Sequence, residues 1–186
     1  MNTTEVKGTG LVSTRTFVKE KHPEMYNEWL KALSPSAQHL YSGVIGSSDW
    51  YDVETMYYQP LKKIADMFFA GNEQLAAIEV GRFSADFGLK GVYKVFLLVA
   101  SPQALMKAAK RIISMYYRPV DVEIKEIDRK SLILTATRLY DKSEMLDYRT
   151  IGWCVRALEL ANCKGVNYQK VPSSNSGQFS VKFSWE

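Results

Sequence analysis

A chain of 186 residues is long enough to bury roughly 70% of its unfolded surface, so its core needs neither a disulfide nor a metal. Its 46% hydrophobic and 24% charged residues are ordinary globular values and exclude a disordered or fibrous protein. The net charge of +4, from 24 basic and 20 acidic residues, is too mild to mark a dedicated nucleic-acid domain, so nucleic acid is not an expected partner.

In chain order, residues 14–21, 22–33 and 36–42 read as short helices, with Pro23 near one start and Pro35 before the next. Asp52 opens a longer helix to about Phe69, in which Val53, Met56, Tyr57, Leu61, Ile64, Ala65 and Phe68 recur at spacings of three and four. Pro60 predicts a kink or break within it. Residues 73–87 form the next helix, with Leu75, Ile78, Phe83 and Phe87 inward, and the apolar stretch 92–99 reads as a fully buried helix. Ser101 and Pro102 open a helix to Tyr116 whose apolar side carries Leu105, Ala108, Ala109, Ile112 and Met115.

The period then changes. Val120, Val122 and Ile124 alternate with Asp121, Glu123 and Lys125, Asp128-Arg129-Lys130 turns, and residues 131–139 return as a second strand. Residues 144–162 are a helix with Ile151, Cys154, Val155, Leu158 and Ala161 on one stripe, and residues 164–171 are a third strand. After the turn-rich PSSNSG loop, Phe179, Val181, Phe183 and Trp185 alternate with Ser180, Lys182 and Ser184 in a fourth strand. The expected architecture is α+β over one domain, 1–186: a helical part (1–117) packed on a four-stranded antiparallel sheet in a ββαββ part (118–186).

Chemistry-bearing motifs are scarce. Cys154 and Cys163 are nine positions apart, which on a helix leaves their Cα atoms roughly 13 Å apart, beyond disulfide reach; two reduced thiols suit a cytoplasmic protein. The N-terminal segment lacks the pattern of a signal peptide, and no apolar run is long enough for a membrane span. His22 and His39 have no nearby partners at metal-ligand spacing, so no metal is expected. No nucleophile elbow and no phosphate-binding glycine loop occurs, and the sequence supports no catalytic residue. Lys107, Lys110 and Arg111 share a helical spacing that could meet an anion, or form a solvated helix face. Trp50 and Tyr51 precede a helix start, where they either line a pocket or staple the helix to the core.

The run Gly81-Arg82-Phe83-Ser84-Ala85, then Gly88-Leu89-Lys90-Gly91-Val92-Tyr93-Lys94-Val95-Phe96, Ser101-Pro102 and Tyr116-Tyr117 resembles an uncharacterised family of bacterial proteins of about this length, expanded in myxobacteria. The opening Val6-Lys7-Gly8 with Leu11, the Leu33-Ser34-Pro35 turn and Trp50-Tyr51 extend the likeness over nearly the whole chain. More distantly, helices followed by strand–strand–helix–strand–strand resemble the superfamily of 4-vinyl-reductase domains, haem-dependent nitric-oxide sensors and Golgi transport-complex subunits. That resemblance implies a ligand-binding or protein-assembly module. The chain lacks the haem sensors' Tyr-x-Ser-x-Arg motif, and both histidines lie too early to be the proximal ligand, which argues against haem; no cofactor is expected. It also lacks the paired cysteines around the last hairpin of many 4-vinyl-reductase domains, having serines there instead.

Three readings follow. The leading one is a non-enzymatic sensory or adaptor domain that binds a small, partly apolar ligand between helices and sheet, with Trp50, Tyr51, Arg82, Tyr93 and Tyr117 as candidate ligand-binding residues. The second is a homodimeric protein-interaction module whose aromatic surplus forms the interface. The third is an anion or nucleotide binder acting through Lys107, Lys110 and Arg111.

Overall fold

The computed structural model describes residues 4–89, 102–173 and 175–186. In chain order they form β1 (Glu5–Lys7), α1 (Gly8–Lys21), a 3₁₀ turn (Pro23–Met25), α2 (Tyr26–Lys31), α3 (Pro35–Ser42), β2 (Trp50–Asp52), a π-helical turn (Glu54–Tyr58), α4 (Gln59–Phe68), α5 (Glu73–Gly88), α6 (Pro102–Tyr116) and β3 (Tyr117–Arg118). The C-terminal half adds β4 (Val122–Asp128), β5 (Ser131–Thr137), α7 (Met145–Leu160), β6 (Asn167–Val171) and β7 (Gln178–Ser184). The fold is α+β, as expected.

The four C-terminal strands make an antiparallel sheet in the order β4-β5-β7-β6. Period-two alternation sets its inner face: Leu132, Leu134 and Ala136 of β5 and Phe179, Val181 and Phe183 of β7 are buried. Against them α7 lays Ile151, Cys154, Val155 and Leu158, the stripe read from the sequence. On its other side α7 packs against α5, so it lies between sheet and N-terminal helices, and 11 of its residues are buried.

The helix α5 presents a different face from the one expected. Ala76, Ala77, Val80, Gly81 and Ala85 are buried, while Leu75 is exposed. Small residues win because the two helices cross with their backbones in contact. A Cβ on Gly81 would overlap the Arg149 carbonyl oxygen, and one on Gly152 would overlap that of Ile78. Met115, expected on the apolar side of α6, is likewise exposed. The expected helix 92–99 lies outside the described residues.

Two further differences concern the first half. Pro60 does not break its helix; the chain widens into the π turn and continues as α4. A proline presses on the carbonyl four residues back, here that of Met56, and the Tyr41 hydroxyl donates to that oxygen at 2.9 Å. The second difference is a three-stranded sheet in the order β2-β1-β3, which the sequence does not announce. It pairs Val6 with both Tyr51 and Tyr117. The helix α1 begins directly after β1, six residues earlier than expected, because the Gly8 and Thr9 amides donate to the carbonyls of Asp49 (2.8 Å) and Ser47 (3.1 Å). A Cβ on Gly8 would overlap the Gly46 carbonyl oxygen.

Candidate functional site

Where α1, the π turn, α5, α6 and α7 converge, a cavity of about 50 Å³ remains. One part of its wall carries hydroxyls, from Thr9, Ser13, Ser84 and Thr150. Another part is apolar, from Phe87, Ile112, Ile113 and Trp153. The Tyr57 and Tyr117 hydroxyls meet at 2.7 Å in the same wall. Burial, with Tyr57 beside it, pushes the Tyr117 phenol well above its ordinary range, so it stays neutral.

The charge in this wall is Arg149, only 3% exposed. The tight α5–α7 crossing fixes its backbone against Gly81. Its Nη2 donates to the Gly10 carbonyl (3.3 Å), Ser13 Oγ (3.3 Å) and Ser84 Oγ (3.2 Å). The guanidinium lies over the Tyr57 ring, 4.2 Å from its centroid. Its Nη1 is buried without a hydrogen-bond partner, and among the described residues no carboxylate pairs with the group.

Two residues earlier on α7, and so about 200° around the helix, Asp147 is 1% exposed. Its Oδ2 lies 3.6 Å from Arg138 Nη2 and 3.8 Å from Lys170 Nζ. Both cations also pair with Glu144, at 3.1 and 2.8 Å. Burial pushes the Asp147 carboxyl up to about 6, against the pull of Arg138 and Lys170. This cluster is an ion network apart from the cavity, in which Arg138 Nε, Asp147 Oδ2 and Lys170 Nζ are buried without a hydrogen bond.

The residues singled out from the sequence fall in several places. Tyr117 lies in the cavity wall. Trp50 is on β2, with the Arg118 guanidinium over its ring at 4.1 Å. Tyr51 receives the Gly46 amide on its hydroxyl at 3.1 Å. Arg82 makes a bidentate pair with Glu159, at 2.9 and 2.8 Å. None of these three is in the wall. Tyr93 lies outside the described residues, as does the side chain of Lys107; Lys110 and Arg111 are exposed on α6. Sequence reasoning missed Arg149 and Tyr57. The available signal for Arg149 was its place beside the apolar stripe of a helix covered on two sides.

Metal chemistry has no visible seat: among the described residues no group of three or more His, Cys, Asp or Glu side chains could hold an ion. Both cysteines are free, and burial raises the Cys154 thiol to about 12 and Cys163 to about 11. No described helix is long and apolar enough to cross a membrane.

No family model matches the chain, and no curated protein does. Solved structures match over nearly its whole length. A variant of Tt H-NOX with one phenylalanine changed to leucine superposes with a TM-score of 0.71 at 15% identity, covering 97% of this chain and 95% of that one. The Fe(II) unliganded H-NOX protein from K. algicida gives 0.70 at 13%, covering 97% and 96%. An oxygen-binding H-NOX domain related to soluble guanylate cyclases, in its oxygen complex, gives 0.71 at 14%, covering 97% and 95%. The fold is that of the H-NOX domains. Of the resemblances drawn from the sequence, the one to the haem-dependent nitric-oxide sensors is thus present in the architecture.

Proposed function

We propose that this chain is a non-enzymatic sensory domain that holds a small, partly apolar ligand in the cavity between α1, the π turn, α5, α6 and α7. The observation that carries the reading is the wall itself: an apolar stretch facing a few fixed hydroxyls and one buried cation is the composition of a ligand pocket. Its place in a fold shared with gas-binding domains supports the same reading.

Haem, named for the structural relatives, does not fit these residues. The described wall offers no imidazole, thiolate or thioether. His22 is stacked on Phe68 with ring centroids 4.0 Å apart, and His39 is exposed on α3. The Tyr117 phenol is held neutral, which disfavours iron–phenolate ligation. A cavity of about 50 Å³ is also far below the roughly 150 Å³ that encloses a single benzene. The ligand is smaller than a porphyrin and is held without a metal.

The cavity is mechanically connected to the small sheet. Tyr117 belongs to β3, whose neighbour Arg118 pairs with Glu5 of β1 at 2.7 Å and covers Trp50 of β2. A ligand that displaces the Tyr57–Tyr117 pair therefore moves a strand that reaches the surface. This is the route by which occupancy would reach a protein partner, with Trp50 and Tyr51 at its outer end.

Native mass spectrometry of protein purified from its own cells tests the proposal. A bound mass that is lost on denaturation is expected. A clean apo mass at twice the monomer value would overturn it in favour of a ligand-free homodimeric module.

A further inference from the structure

Resting on the ligand-binding reading above, we infer that Arg149 is the recognition residue of the cavity and that its ligand is a small aliphatic monocarboxylate. A buried guanidinium with no counter-ion is electrostatically incomplete, since an isolated charge in a protein interior is disfavoured unless paired. Arg149 is 3% exposed and has no carboxylate partner among the described residues. Its hydrogen bonds are all to neutral oxygens, and all come from Nη2. Nη1 is buried and has no hydrogen-bond partner, in a side chain that lines the cavity.

The geometry makes Arg149 a prepared receptor rather than a stranded side chain. Three acceptors on Nη2 and the Tyr57 ring beneath the guanidinium fix its plane before any ligand enters. The Ser13 and Ser84 hydroxyls, 3.1 Å apart, are held in turn by the Gly10 and Val80 carbonyls. A fixed guanidinium favours a planar oxyanion, because its N–H groups match the in-plane lone pairs of a carboxylate.

Charge and volume narrow the class further. The described wall holds one cation and no second one. A monoanion is neutralised by it, whereas a phosphate dianion would leave a net negative charge buried beside two phenols. A cavity of about 50 Å³ is about a third of the roughly 150 Å³ that holds benzene, so an aromatic acid is too large. Phe87, Ile112, Ile113 and Trp153 suit a short alkyl tail. Butyrate already has benzene's six heavy atoms, so the fitting ligand is the shortest of the class, a carboxylate head with a one-carbon tail.

Isothermal titration calorimetry of the full chain with sodium acetate, and separately with its neutral isostere acetamide, tests the inference in chloride-free buffer. With four heavy atoms acetate binds no tighter than about tens of micromolar. Acetamide is expected to bind roughly ten- to a hundredfold more weakly, the usual difference between a charged and a neutral hydrogen-bonded partner. Arg149→Met should abolish acetate binding while leaving the unliganded melting temperature no lower than wild type, because the Ser13 and Ser84 hydroxyls keep the Gly10 and Val80 carbonyls as acceptors.

Equal binding of acetate and acetamide by the wild type would overturn the inference, and that comparison stands even if the variant does not fold. Acetate binding retained by Arg149→Met would do the same. If wild-type protein binds neither probe while native mass spectrometry shows a bound neutral molecule, the carboxylate is wrong and the ligand-binding reading survives. If native mass spectrometry also shows no ligand, both fall together.

Discussion

Asp147 and Arg149 sit two residues apart on α7, both almost fully buried, and the chain treats them oppositely. Asp147 faces Arg138 and Lys170, which are themselves tied to Glu144, so its charge is answered in part from within the molecule, by cations whose pull burial outweighs. Arg149 lines a cavity, with neutral oxygens on Nη2 and, among the described residues, no hydrogen-bond partner on its buried Nη1. A buried charge answered internally serves the fold. A buried charge that is fixed in place yet left unanswered is poised to bind something the fold does not contain.

The strongest way to break the comparison is to move the two faces of α7 apart. Gly81→Ala places a Cβ against the Arg149 carbonyl, where only backbone motion can relieve it. A loss of about 3 kcal/mol is expected in urea denaturation. Ligand binding should also be lost, while the Asp147 network, on the opposite side of the helix, keeps its titration. Preservation of binding would show that the crossing does not position Arg149.

A second experiment sharpens the Asp147 half. Its folded pKa of about 6 lies above the ordinary 3.8, so the folded protein keeps that proton longer than the unfolded chain. The Asp147 contribution to stability is therefore full below about pH 4 and declines as pH rises to about 6, by on the order of 2–3 kcal/mol. Asp147→Asn cannot titrate, so wild-type stability should fall relative to that variant across this window. Glu144, Arg138, Lys170 and Asp141 face the same carboxyl and remain in both proteins, so their titrations largely cancel. A flat difference would mean that Asp147 ionises like a free aspartate.

On the cavity side, Tyr117→Phe removes the bond to Tyr57 and should cost about 1 kcal/mol, read from the thermal midpoint. Smaller still is Arg82→Ala. Arg82 and Glu159 are about one-third exposed, and Arg156 also holds Glu159, so a loss of about 0.5–1 kcal/mol with unchanged ligand binding is expected. An effect of Arg82→Ala on binding would extend the site beyond the wall described.

Much of this arrangement was legible in the sequence, because its signals are local. The alternation of Phe179, Val181 and Phe183 and the apolar stripe of α7 depend only on near neighbours, and they placed sheet and helix correctly. Strands of two or three residues, such as β1 and β3, carry no period and exist only through distant partners. The inward face of α5 was misjudged because large apolar residues outrank Ala and Gly in any hydrophobic pattern. The crossing with α7 instead rewards the absence of a side chain at Gly81 and Gly152. Arg149 escaped notice for a related reason: an arginine in sequence reads as surface, and only the covering of α7 by both α5 and the sheet places it inside.

The seating of β1 has a consequence for the order of assembly. This central strand of residues 5–7 hydrogen-bonds on one flank to the segment ending at Asp52 and on the other to the segment at Arg118, 113 positions away in sequence. Closing a loop that long is entropically slow compared with forming a hairpin. The C-terminal hairpins can therefore register early, whereas β1 locks only after distant segments have been gathered. Substitutions in β1, such as Val6→Ala, should accelerate unfolding far more than they retard folding, making this short strand a latch whose strength sets the lifetime of the folded state.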